Sequence, residues 1–284
     1  MMRVEFLGTG GAITTPQPLC SCTVCAEARE RGVPYSRSGP SVFVHGPDLL
    51  VDTPEEIKDQ LNRSHVERIG ACVYSHWHPD HVMGRRLFEI NKDYREWPAQ
   101  DRCTAVYLPA QVSADMKNTL GTWEHFEFFE AQGLIRLVEV PDEGSFDLQG
   151  HAIQPFRLAE SYVYAFMIEG GGKRLLVAPD ELNGWDPPEW VKGVDLAVLP
   201  MGVAEFHPLT GERQIAEEHP VLQAEATIEE TLEIVRKLGA DRVVLTHIEE
   251  PDRLSFDDLK AVEDRLQESG LAVSFAYDTQ LVDV

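Results

Sequence analysis

Positive charge is scarce in this 284-residue sequence: 25 lysines and arginines stand against 48 aspartates and glutamates, a formal net charge of −23. So acidic a surface repels nucleic-acid phosphates, and no cluster of basic residues offsets it locally. The pairs Arg85-Arg86 and Lys173-Arg174 come nearest to one. No long nucleic acid is therefore expected as a partner, although a small anion could still reach bound cations that dominate the local field. Apolar runs never approach the roughly 18 residues of a membrane span, so no membrane is expected either. The opening "MMRVEFLGTGG" enters a strand-like segment with no basic region ahead of an apolar stretch, which reads as the absence of a signal peptide and a cytoplasmic protein. Cysteine is sparse too. Cys20, Cys22, Cys25, Cys72 and Cys103 are an odd number, which argues against a disulfide framework. No low-complexity linker divides the chain, so a single domain spanning residues 1–284 is expected.

What is present reads as strands, then a strand and helix alternation, twice over. "RVEFLG", "SVFVHG" and "LLVDT" are short β segments set apart by glycine and proline. In "TPEEIKDQL" the spacing predicts a helix with Thr53 as cap, Pro54 at its first position and Glu56 closing a capping box. "YAFMIEGGGKRLLVAPDE" predicts a hairpin turning at Gly170–Gly172 with Asp180 ending its second strand. Thr227 with Glu230, and Ser255 with Asp258, predict two further capped helices, and "DRVVLTHIEE" a strand ending in His247. Residues 201–226 have no clean period and read as an active-site loop.

"YSHWHPDH", residues 74–81, packs three of the ten histidines and an aspartate together. Neutral imidazole with carboxylate is the usual donor set for zinc and related ions. Strand alternation would put His76 and His78 on one side, and the turn after Pro79 would bring Asp80 and His81 to a neighbouring ion. That spacing suits two divalent ions, Zn²⁺ or Mn²⁺, sharing a hydroxide. Asp180 and His247, each ending an apolar strand, are expected to complete the set. In "CSCTVC" the thiols of Cys20, Cys22 and Cys25 are expected to converge on one structural Zn²⁺.

"GTGGA" after the first strand, "HWHPDH", the strand-end Asp180 and "THI" near the C-terminus resemble the metallo-β-lactamase superfamily over nearly the whole chain. The resemblance implies an α/β fold, a four-layer αβ/βα sandwich with metals at the sheet edges. It also implies a hydrolase, because the histidine motif differs from the glutamate-containing version of the superfamily's diiron oxidoreductases. "GTGGAITTPQPLCSCTVCAEA" followed by "RSGPSVFV" and "LLVDT" resembles the PhnP phosphodiesterases, which act on small cyclic and diester phosphates. Coenzyme-PQQ accessory proteins share the cysteine pattern. In the PhnP pattern the cysteine zinc, held by a loop at 14–30, takes a fourth ligand three residues after the C-terminal metal histidine. That position is Glu250 here, with Asp252 as the nearby substitute.

Two histidines of that pattern are missing. The one preceding the hairpin strand falls on Ala159 or Glu160, and the one 22 positions before His247 falls on Glu225. The first metal position could bind weakly, could be completed by Glu160, or could have lost its function; the persistence of the other ligands favours a working site with an altered metal preference. His207 and His219, each preceding a proline in the 201–226 loop, are candidates for the missing imidazole. The expected function is a metal-dependent phosphodiesterase for a small-molecule phosphodiester. Asp80 would orient the nucleophile, and His219, His207 or Glu225 would protonate the leaving alkoxide. A lactone or thioester hydrolase on the same core is the alternative, as is a non-catalytic accessory protein of the PQQ-biosynthesis type. A homodimer is left open.

Overall fold

Short β-branched and aromatic runs, punctuated by glycine and proline, become strands that the chain lays down almost in order. The computed structural model describes residues 2–96, 102–121 and 123–284. One sheet is built from β1 (Arg3–Gly8), β2 (Ser41–His45), β3 (Leu49–Val51), β4 (Ala71–Val73), β5 (Thr104–Pro109) and β6 (Ile135–Val140). The other contains β7 (Phe146–Leu148), β8 (His151–Arg157), β9 (Tyr164–Gly170), β10 (Lys173–Val177), β11 (Leu196–Pro200), β12 (Val243–Thr246) and β13 (Val273–Phe275). The last strand, β14 (Leu281–Asp283), crosses back to pair antiparallel with β1.

Each sheet is antiparallel in part and parallel in part. Strands β3 to β6 run parallel, and so do β10 to β13. Ligands in open parallel sheets gather beyond the carboxyl ends of the strands. The segments leaving β3, β4, β10 and β12 carry Asp52, the histidine motif, Asp180 and His247.

Apolar side chains from both sheets share one core, with Phe6, Val44 and Val73 on one side and Phe166, Val177 and Val198 on the other. A second core lies between the later sheet and its helices, where Leu176, Leu199 and Leu245 meet Ile228, Leu238 and Leu259. Two mixed sheets face each other with helices outside, the α/β sandwich implied by the sequence.

Local signals hold in most places. The hairpin turns through Gly171 and Gly172, both with positive φ. Both capping boxes form, Thr227 with Glu230 and Ser255 with Asp258. Thr53 is a correction: the helix starts later, at Ile57–Asn62, with no side-chain cap. The Thr53 hydroxyl is instead 2.9 Å from the buried Tyr74 hydroxyl, and its N–H donates to the His81 carbonyl, so a tertiary contact at the histidine motif displaces the cap. Residues 201–226 are mostly irregular, with isolated bridges from Phe206 to Arg213 and from Val203 to Thr227 and a helical turn at Val221–Ala224. No helix among the described residues is long and apolar enough to cross a membrane.

Candidate dinuclear metal site and cysteine cluster

Strand β4 ends at Val73, so the histidine motif lies beyond the strand and alternation does not place it. His78 immediately precedes the short helix Pro79–Val82, whose first turn carries Asp80 and His81. Proline at the helix start has no N–H to lose, which lets the chain turn sharply there. The Tyr164 N–H at the start of β9 donates to the Ser75 carbonyl at 3.0 Å and fastens the motif to the other sheet.

Two adjoining donor groups result. His76, His78 and Asp180 form one, and Asp80, His81 and His247 the other; within each, all ligand atoms lie within 4.8 Å of one another. Asp180 joins them, with Oδ2 3.1 Å from His76 Nε2 and 3.6 Å from His81 Nε2, and Oδ1 3.4 Å from His247 Nε2. Asp80 Oδ2 is 3.3 Å from His81 Nε2 and 3.9 Å from His247 Nε2. Despite this closeness, the Nε2 atoms of His76, His81 and His247 are buried without an aligned hydrogen-bond partner among the described residues. Buried polar atoms are ordinarily paired. Three unpaired imidazole nitrogens among carboxylate oxygens fit two divalent ions better than they fit each other.

The surroundings favour positive charge. Burial alone would push His81 down, but Asp80 and Asp52 outweigh it and hold His81 well above its usual range. Burial would raise Asp180, yet His247, His76 and His81 hold it well below. Behind the ligands, Asp52 Oδ2 is 2.8 Å from His81 Nδ1 and accepts from Ser75 Oγ at 2.7 Å, while Ser75 Oγ is 3.0 Å from His76 Nδ1. Asp52 and His247 both adopt left-handed backbone, φ +61° and +53°, a conformation that clusters at functional sites in residues other than glycine. A Cβ on Gly11 would lie 2.5 Å from His247 Cε1, so the "GTGGA" turn needs glycine there to pass so close to this ligand.

Beside the second group lies a small pocket of ≈ 10 Å³, walled in part by Asp180, Glu181, Glu225, His247, Glu249 and Asp252. Burial, with the Glu249 charge, raises the Glu225 carboxyl to about 7. Burial, with Asp180, takes Glu181 to about 7 as well.

Several residues singled out in the sequence stay apart from these groups. Glu160 is exposed at the tip of the β8–β9 turn and belongs to neither group, so it does not complete the first. His207 Nδ1 accepts from the Leu209 N–H, and the exposed His219 Nδ1 accepts from the Val221 N–H, each at 3.2 Å. Both rings cap their own turns. Asp52, Ser75 and Glu181 had no place in the sequence reading. Asp52 had the available signal, since it ends a strand as Asp180 does.

Cys20, Cys22 and Cys25 converge as expected around the start of the helix Thr23–Arg31. Their sulfurs lie 3.2, 3.1 and 3.1 Å from Glu250 Oε1. The donor set of three sulfurs and one oxygen suits a closed zinc site. Burial and the Glu250 carboxylate push the Cys25 thiol up to about 12, so an ion must displace protons to bind. Asp252 is not the substitute ligand. It turns away, its Oδ1 accepting from the Ala204 N–H at 2.8 Å.

Residues 46–248 match the family described as the β-lactamase superfamily domain, and the chain belongs to that superfamily. Among solved structures, a diphosphatase of the PhnP family superposes with a TM-score of 0.71 at 21% identity, covering 100% of this chain and 98% of that one. Zn²⁺-bound PqqB from Methylobacterium extorquens gives 0.73 at 17% identity over 99% and 100%. At these identities the likeness is one of fold. An octanoyltransferase of Porphyromonas gingivalis is 23% identical over 252 residues, which is 87% of this chain and 46% of that protein. The chain thus spans about half the length of this curated relative.

Proposed function

We propose that the protein is a metal-dependent phosphodiesterase for small cyclic or diester phosphates. The observation that carries this reading is the pair of three-donor groups joined by Asp180 and lying beside the carboxylate-walled pocket. His76, His78 and Asp180 would hold one divalent ion, Zn²⁺ or Mn²⁺, and Asp80, His81 and His247 the other. Bound there, such ions activate water and neutralise charge developing on a phosphoryl group. The chain supplies the rest. Asp80 is held ionised beside His81 and His247, against the pull of burial, so it would accept a hydrogen bond from the attacking water and orient it. Glu225, raised to about 7, keeps a proton available at neutral pH for the leaving alkoxide. A long nucleic acid is disfavoured by the net charge of −23. The fold likeness to a PhnP-family diphosphatase supports the reaction class.

The test is metal-stripped protein reconstituted with Zn²⁺ or Mn²⁺ and offered bis(p-nitrophenyl) phosphate and a 2′,3′-cyclic nucleotide, beside lactones and glutathione thioesters. Diester hydrolysis that disappears in His78→Ala and Asp80→Ala is the expected result. Turnover of lactones or thioesters alone would reassign the site to acyl hydrolysis. Bound ions with no turnover of either class would favour a non-catalytic accessory role.

A further inference from the structure

The imidazoles of the two donor groups are not all held in the same way. Behind His76 stands the Ser75 hydroxyl at 3.0 Å, and behind His81 the Asp52 carboxylate at 2.8 Å. Such partners fix both the tautomer and the orientation of a ligating ring. Among the described residues no hydrogen bond reaches the His78 ring, which is only half-buried. It lies in a nest of other rings instead. The Trp77 centroid is 4.8 Å away at 79°, Tyr162 is 5.5 Å away at 54°, and His76 is 4.5 Å away at 72°. Trp77 and Tyr162 also approach each other, at 6.5 Å, so the His78 imidazole touches both members of a contiguous aromatic group. Offset and edge-on ring contacts of this kind are directional and favourable.

Tyr162 reaches this place from the tight turn between β8 and β9, closed by the Leu158 N–H to the Val163 carbonyl at 2.9 Å and the Val163 N–H to the Glu160 carbonyl at 3.1 Å. The tip of that turn, Ala159 to Ser161, is exposed, whereas Tyr162 folds inwards. The turn therefore contributes a packing ring to the first donor group and no imidazole or carboxylate donor.

We propose that Tyr162 and Trp77 are positioning residues that hold the His78 imidazole for the first metal ion by ring packing, in place of a hydrogen-bonded partner. Packing fixes the direction of the ring but not its tautomer. The affinity of the ion at His76, His78 and Asp180 then depends on the Tyr162 ring. The inference rests on the metal reading of these groups, and the controls keep the two apart.

The experiment titrates full-length, metal-stripped protein with Co²⁺ against a competing chelator, following cobalt absorption and ions bound per chain. His78→Ala identifies the first ion by weakening it. Tyr162→Phe retains the ring and should bind within about threefold of the parent, whereas Tyr162→Ala should weaken that same ion by about tenfold or more and alter its cobalt band. The second ion and the cysteine-bound ion should be unchanged in Tyr162→Ala, which separates local positioning from general loss of structure. Equal weakening of both catalytic-site ions, or of neither, overturns the proposal. A loss in Tyr162→Phe as large as in Tyr162→Ala overturns it too, because the hydroxyl and not the ring would then be acting. If His78→Ala itself leaves both ions bound as in the parent, the metal reading of the group fails and this inference goes with it.

Discussion

Asp52→Asn asks whether His81 is held in the tautomer that an ion requires. Asp52 Oδ2 lies 2.8 Å from His81 Nδ1 and 2.7 Å from Ser75 Oγ, and Oδ1 accepts from the Ser75 N–H at 2.8 Å. A carboxylate only accepts, so His81 keeps a proton on Nδ1, and its Nε2 lone pair faces Asp80 and Asp180 when the ring is neutral. Asparagine preserves the volume and tolerates the left-handed backbone, φ +61°. Its oxygen can still accept from Ser75, but its amide then presents hydrogens to Ser75 Oγ and His81 Nδ1. The serine hydroxyl can turn to accept. The imidazole can accept only by moving its proton to Nε2, the atom needed for the ion. Rotating the amide by half a turn leaves the buried Ser75 N–H facing another donor. Either way, one hydrogen bond to a charged group is missing from the metal-competent state, about 1.5–3 kcal/mol. This corresponds to roughly 10–100-fold in affinity, the range typical for residues supporting metal ligands. Zinc titration of stripped protein against a chelator should show that loss at the ion held by Asp80, His81 and His247. Binding within about threefold of the parent would falsify the tautomer argument.

Other expectations follow from the same geometry. Cys22→Ser should lose one zinc per chain and lower the melting temperature, since a structural zinc contributes folding energy directly; unchanged metal content and melting would refute the cysteine site. Glu225→Gln should slow diesters with alkoxide leaving groups by about 10²-fold while sparing p-nitrophenyl esters, whose leaving group needs no proton. Because the acid form of Glu225 is the active one and its carboxyl lies at about 7, alkoxide-diester hydrolysis should fall as pH rises through that value, and Glu225→Gln should remove this limb. With His76, His78 and Asp180 the only donors around the first ion among the described residues, Mn²⁺-reconstituted protein should turn over faster than the Zn²⁺ form, although zinc binds more tightly. Faster turnover with Zn²⁺ would sink the donor-count argument.

The residues legible in the sequence were those whose meaning is local. Three histidines and an aspartate within "HWHPDH" need no tertiary information, and neither do the capping boxes at Thr227 and Ser255. Asp180 and His247 could be read because each follows an apolar strand, a rule that Asp52 in "LLVDT" satisfies equally. Its role depends on β3 pairing parallel with β4 in the register that sets Val51 opposite Val73, which brings Asp52 beside Ser75. Register of that kind is not written in either segment alone. Glu181 depends on a longer connection still, its Oε1 accepting from the Ala226 N–H, 45 positions away. The loop histidines mislead for the opposite reason. His207 and His219 each satisfy an N–H two residues further on, and this local bond takes one ring nitrogen into the turn.

Position counting puts Glu250 at the fourth zinc position with Asp252 as substitute, and the turn that separates their roles links the two candidate metal sites. The 3₁₀ turn Glu250–Asp252 sends Glu250 into the thiols and Asp252 back to the Ala204 N–H. The segment ahead of it is bonded at short intervals to the N-terminal loop: Ile248 N–H to the Thr9 carbonyl at 2.8 Å, Ile13 N–H to Glu249 Oε1 at 3.2 Å, and Glu250 N–H to the Ile13 carbonyl at 3.0 Å. His247 therefore stands on a strap clamped by the cysteine loop at one end and by β12 at the other. An ion among Cys20, Cys22 and Cys25 would fix Glu250, three residues from His247, without sharing a ligand with the catalytic group. Loss of the cysteine ion should consequently reach the second catalytic ion through backbone geometry alone. Cys22→Ser protein that still folds should bind that ion more weakly, while the ion at His76, His78 and Asp180, fastened to β4 and β10, should change less.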